Sequence, residues 1–132
     1  MRHESNLYEI RIPSRDRHMN LIDDVRVINA RDETIAFLLS YATGAEASIT
    51  LGYYRMASGK VEREEVHVIR AHVNTDFSNA KDSHGELPQE DIEEHCKYLA
   101  KVLNQECIMY SKTPSYYELV FQVSVKDALL SI

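Results

Sequence analysis

The chain has 132 residues, 44% of them hydrophobic and 27% charged, with four Gly and three Pro. That composition suits one globular domain over residues 1–132 and leaves little room for linkers or disorder. A formal net charge of -6 gives no broad cationic footprint, so duplex nucleic acid is not an expected partner, although a local Arg cluster could hold a small anion.

Two cysteines, Cys96 and Cys107, form neither a disulfide framework nor a Cys-x-x-Cys pair, which fits a reducing compartment. The opening "MRHESNLYEI" lacks an apolar stretch of signal-peptide length, and no run nears the roughly 20 apolar residues of a membrane span. A cytoplasmic protein is expected, in the host cytoplasm if the chain is viral.

Leu7, Glu9 and Arg11 alternate with Tyr8, Ile10 and Ile12, and Pro13 closes the run, which predicts a half-buried strand. A polar loop, "SRDRHMN", leads into "LIDDVRVI" over 21–28, which has a strand-like pattern. Asn29 then reads as the cap of a helix over 30–43 with Ile35, Leu38, Leu39 and Ala42 as its apolar stripe and Gly44 as its stop. Strands at 46–56 and 61–73, joined by "ASGK", predict a long hairpin. The aperiodic segment 74–87 reads as a loop and a candidate lid.

Pro88 and the acidic "QEDIEE" open a second helix, with Ile92, Cys96, Leu99 and Leu103 as its buried stripe and an end near Asn104. "QECIMYSK" and "SYYELVFQVSV", with "KTPS" between them, predict a second hairpin. The expected fold is α+β: a mostly antiparallel sheet of about six strands in the order ββαββαββ, with two helices on one face.

No Gly-rich phosphate loop, His-Glu-x-x-His, Gly-x-Ser-x-Gly or Ca2+ loop is present. His67 and His72, five positions apart, face opposite sides of a strand, so a metal site is not expected. Glu64 shares a strand face with Val66, Val68 and Arg70; a carboxylate there is either solvated or, if buried, in need of a partner. Eight Tyr and no Trp, with Arg55 beside Tyr53 and Tyr54, are either packing residues or a pocket that stacks a planar base. Gln105 and Glu106 lie where the second helix gives way to a strand, so one of them should turn inward as a structural clamp or a ligand contact.

The stretches "GYYRMASGKVEREEVHVI" and "LAKVLNQECIMY" resemble a pattern in small bacterial and phage proteins: a Gly-aromatic strand, a turn, a Glu-bearing strand, a helix and a Gln-Glu-x-hydrophobic strand. The matching positions are Gly52, Tyr54, Gly59, Glu64, Gln105 and Glu106. The chain is also similar to anti-Thoeris phage proteins, which sequester cyclic ADP-ribose signals without catalysis.

The resemblance implies a non-enzymatic counter-defence protein that captures a small nucleotide-derived ligand. Arg26, Arg55 or Arg70 would pair phosphate, Tyr54 or Tyr110 would stack the base, and Gln105 or Glu106 would read its polar edge, with Glu64 as the inward carboxylate. No cofactor is expected. A homo-oligomer is, because one small sheet offers little concavity. Two alternatives stand beside this reading: a phage protein that blocks a host protein through the acidic surface around Glu86, Glu90, Asp91, Glu93 and Glu94, and a small hydrolase or lyase using Glu64 or Glu106 as a base with His67.

Overall fold

The computed structural model describes residues 2–74, 85–120 and 122. Six elements follow one another: β1 (Arg2–Pro13), α1 (Asp24–Leu39), β2 (Glu46–Arg55), β3 (Val61–Asn74), α2 (Gln89–Val102) and β4 (Tyr110–Glu118). The sheet order is β2-β3-β1-β4, and every neighbouring pair is antiparallel. This is the split βαβ arrangement of ferredoxin-like domains, in which each helix carries the chain across an intervening strand.

One core lies between the sheet and the helices. Tyr8, Ile10 and Ile12 of β1 and Ile69, Ala71 and Val73 of β3 meet Val27, Ala30 and Leu38 of α1 and Ile92, Cys96 and Leu99 of α2. Both helices therefore cover one face, as their apolar stripes require. On the two central strands the opposite face carries Leu7, Glu9 and Arg11 alongside Glu64, Val66, Val68 and Arg70.

The structure corrects the sequence reading at three places. The strand expected over 21–28 does not form, because residues 24–28 belong to α1. Asp23 accepts a 2.8 Å bond from the Val25 N–H and caps the helix. Val27, Ala30, Thr34 and Leu38 then bury one helical stripe, and that gain outweighs the strand-like alternation of Val25 and Val27. Asn29, the expected cap, sits inside the helix on its exposed side.

The second hairpin does not form either, since β4 runs unbroken through "KTPS". β4 is an edge strand paired with β1 alone, which is where a proline such as Pro114 is tolerated in a sheet. Third, residues 105–109 lie outside any strand. Among the described residues the sheet thus has four strands rather than six, in the order βαββαβ. Most of the expected lid at 74–87 and nearly all of the chain beyond Val120 lie outside the described residues.

Candidate functional site

Glu64 is the buried carboxylate of the helix-free face. It is 8% exposed and lies directly across the ladder from Gly52. The absent side chain at Gly52 is what allows Tyr54, two residues along the same face, to lean back over the strand. A Cβ at position 52 would stand 2.9 Å from the Tyr54 hydroxyl and 3.0 Å from its ring. In that pose the Tyr54 phenol faces the Glu64 carboxylate and favours its ionised form. Gly52, Tyr54 and Glu64 therefore act as one unit.

A second segment closes on Glu64 from the β1–α1 connection. The Arg15 N–H donates to Glu64 Oε2 at 2.9 Å, and the neighbouring Ser14 N–H also favours the ionised carboxylate. Within this loop Asp16 Oδ1 accepts from the N–H groups of His18 and Asn20 at 2.8 and 3.0 Å, a compact Asx-type turn. Those bonds hold the Asp16 carboxyl below its ordinary range, with the Asn20 N–H contributing most.

The third segment follows α2. Leu103 ends the helix, and Asn104 takes a left-handed conformation with φ 49°. Asn104 N–H then bonds to Lys101 O and Gln105 N–H to Ala100 O, the paired bonds of a Schellman cap. This cap delivers the Gln105 side chain to the β1–α1 loop, where Nε2 donates to Arg15 O at 2.6 Å and to Leu103 O at 3.2 Å. Of the neighbours Gln105 and Glu106, the amide is the one that turns inward. Glu106 keeps 77% of its side chain exposed and lies 3.9 Å from Arg17.

These segments enclose two adjoining hollows of about 280 and 190 Å3, and Tyr54, Glu64, Gln105 and Cys107 line both. Joined, they fall in the lower size range of small-molecule sites. Burial is the main cause that pushes the Glu64 carboxyl above its ordinary pKa; the Arg15 and Ser14 N–H groups, the Arg15 charge and the Tyr54 hydroxyl act in the opposite direction. Burial, and then the neighbouring Glu64 charge, raises the Tyr54 phenol. A shielded carboxylate beside a phenol can counter a cation, hold a donor, or accept a proton.

Of the residues singled out in the sequence, Tyr54, Glu64, Gln105 and Glu106 come together here. The others do not. Arg26 lies exposed on α1, and Arg55 follows Tyr54 on β2 and so takes the opposite face. Arg70 shares the face of Glu64 but stands six residues along β3, roughly 20 Å away. It lies 3.6 Å from Glu9 and lines a separate hollow with His72 and Tyr117.

Tyr110 packs against the core and accepts from Gln89 at 3.0 Å. His67 is three positions from Glu64 on β3 and points to the other face, so the two do not form an acid–base pair. In the acidic stretch, Glu86 pairs with Lys112, Asp91 accepts from Tyr41, and Glu93 accepts from Gln89. Sequence reasoning missed Ser14 and Arg15: their N–H groups leave no side-chain signature, and nothing in the sequence placed the Arg15 charge beside Glu64. It also missed the cradle role of Gly52, although the Gly-aromatic spacing held the clue.

The fold and site define a ferredoxin-like domain with a buried carboxylate at the floor of a ligand-sized hollow. No protein-family model matches the sequence, and no curated protein matches it. Solved structures of similar fold include a phage SAM lyase in complex with S-methyl-5'-thioadenosine, with a TM-score of 0.53 and 16% identity over 89% of this chain and 90% of that one. A phage SAM lyase in the apo state gives a TM-score of 0.49 and 13% identity over 92% and 93%. At 16% identity the likeness to the complexed lyase is one of fold. Among the described residues no helix is long and apolar enough to cross a membrane.

Proposed function

We propose that the chain is a phage accessory protein that binds a small adenosine-derived ligand in the Tyr54–Glu64 hollow, and that S-adenosylmethionine is its substrate in a lyase reaction. The observation that carries this reading is the buried Glu64 carboxylate, fixed by the Arg15 N–H and the Tyr54 phenol at a ligand-sized hollow. It sits in a fold shared with a phage SAM lyase solved with S-methyl-5'-thioadenosine.

S-adenosylmethionine carries a sulfonium cation, and a carboxylate shielded from water is its natural counter-charge. The substrate's own carboxylate attacks the aminobutyryl carbon bonded to sulfur and closes a lactone as that carbon–sulfur bond breaks; the electron pair stays on sulfur and yields the neutral thioether. Glu64 draws and orients the cation, Tyr54 offers an aromatic face, and Glu106 at the rim attracts the ammonium group.

Sequestration without turnover, as in the anti-Thoeris proteins, uses the same groups. Arg26, Arg55 and Arg70, expected to pair phosphate, do not line the hollow; its charged lining is Arg11, Arg15 and Arg17 with Asp16, Glu64 and Glu106, so any phosphate would have to be paired by arginines other than those expected. Homo-oligomerisation is part of the proposal: Ile49, Leu51 and Tyr53 project from edge strand β2 at 60%, 49% and 63% exposure, a stripe that a second copy would bury.

The test is to incubate the purified chain with S-adenosylmethionine and follow S-methyl-5'-thioadenosine by mass spectrometry, with Glu64→Gln as control. Thioether that accumulates with the parent chain and not with E64Q is the expected result. Intact S-adenosylmethionine retained by the protein would turn the reading to sequestration, and a chain that neither converts nor retains it would overturn both.

A further inference from the structure

Gln105 is tied to backbone at both hydrogens of its amide. Nε2 donates to Arg15 O at 2.6 Å and to Leu103 O at 3.2 Å, which uses the donor capacity of the NH2 group and fixes which way the amide faces. One anchor, Leu103 O, belongs to the Schellman cap of α2, whose core residues Ile92 and Leu99 are at most 1% exposed. The other, Arg15 O, is the far end of the residue whose own N–H donates to Glu64. Arg15 is thus pinned at its carbonyl by Gln105 and at its amide by Glu64, and the bond from Arg17 N–H to Asn104 O at 2.9 Å holds the same loop two residues later.

Resting on the proposed function, we propose that Gln105 is a positioning residue for the site: it transmits the rigid end of α2 through Arg15 to the Glu64 carboxylate, and so sets the geometry and charge of the group that faces the ligand. Without the Gln105 bonds the 15–19 loop keeps its internal Asp16 turn and the Arg17 N–H bond to Asn104 O, but Arg15 loses its own tether to the end of α2. The Arg15 N–H is then free to leave Glu64. The carboxylate loses a donor to its ionised form, which weakens the counter-charge offered to a cationic ligand.

The variant Gln105→Met keeps side-chain length and removes both donors. In the parent chain the Arg15 amide resonance should titrate with Glu64, because the two are hydrogen-bonded. In Q105M that tracking should disappear, and the Glu64 carboxyl carbon should titrate higher by about half a pH unit or more. Affinity for S-adenosylmethionine, which carries the cation, should fall several-fold while that for the neutral S-methyl-5'-thioadenosine changes little, and the double variant E64Q/Q105M should bind the cation no more weakly than E64Q alone, since both act on one unit.

A folded Q105M in which the Arg15 amide still follows an unchanged Glu64 titration overturns the inference, including the case where thioether affinity falls, which would mark Gln105 as a direct ligand contact. The titration needs no ligand. If the relay responds as expected while the parent chain binds no thioether, the proposed function fails and the positioning role stands. Should Q105M lose its fold, Gln105→Asn, which keeps the amide but falls one methylene short of Arg15 O, carries the same readout.

Discussion

Gly52→Ala separates the fold from the site. The new Cβ would meet the Tyr54 hydroxyl at 2.9 Å and its ring at 3.0 and 3.2 Å, all atoms at the far end of one side chain, so the strand stays and the ring swings away. Replacing Gly by Ala in a strand gains about 0.5–1 kcal/mol in backbone entropy. Against this stands the lost interaction of the phenol with the Glu64 carboxylate. A bond to a charged group is worth about 1.5–3 kcal/mol when fully shielded, and less here because Tyr54 is 43% exposed. The two nearly offset, so Tm should move by no more than about 5 °C. Affinity for S-methyl-5'-thioadenosine should fall about tenfold, equivalent to ~1.4 kcal/mol of lost aromatic and hydroxyl contact. Isothermal calorimetry on G52A, with Tyr54→Phe and Tyr54→Ala beside it, measures this. Parent-like affinity in G52A would refute the cradle. So would a loss in G52A with none in Tyr54→Ala, since the glycine would then act on something other than the ring.

Further expectations concern pH and assembly. Because burial raises the Glu64 carboxyl in the folded chain, the folded state holds that proton more tightly than the unfolded one. Stability is therefore lost as pH rises from the ordinary carboxylate range through the raised value. Thermal melts of E64Q should gain on the parent over that window, and a constant gap would contradict the burial argument. His95 has the opposite sign: burial between Phe37, stacked at 4.4 Å, and Thr34 lowers its pKa, with Glu33 the opposing charge. Stability should fall as pH drops below about 6.5, and His95→Gln should flatten that limb of the melting profile. Lys at both Ile49 and Leu51 should reduce the mass measured by light scattering to that of one chain; an unchanged mass would clear β2 of any role in assembly.

Where periodicity alone decides an element, the sequence was readable. The two strands of the long hairpin form where expected, and Ile92, Cys96 and Leu99 of α2 are buried together with Leu103 at its C-cap. Misreading began where two periods fit the same letters, as in "LIDDVRVI", and the deciding signal was the Asp23 cap. "KTPS" carries turn residues, yet an edge strand has room for a proline, and edge status is a tertiary fact. Glu64 could be picked out because a carboxylate among valines is anomalous in any fold. Arg55 and Arg70 could not be sorted from Tyr54 without knowing the face of one and the distance of the other. Arg15 was invisible as a site residue because its bond to Glu64 is made by an N–H that every non-proline residue has, and only the fold brings its charge to the same carboxylate.

The site is held by contacts of unusual sequence reach: Arg15 N–H to Glu64 spans 49 residues and Gln105 to Arg15 spans 90. Such contacts close large loops and form only once both βαβ halves have docked. A nascent or partly folded chain that has built only its first helix and hairpin therefore has the carboxylate but not the clamp. Ligand capture becomes a late event in folding, and exchange of the Arg15 amide with solvent serves as a clock for the last assembly step.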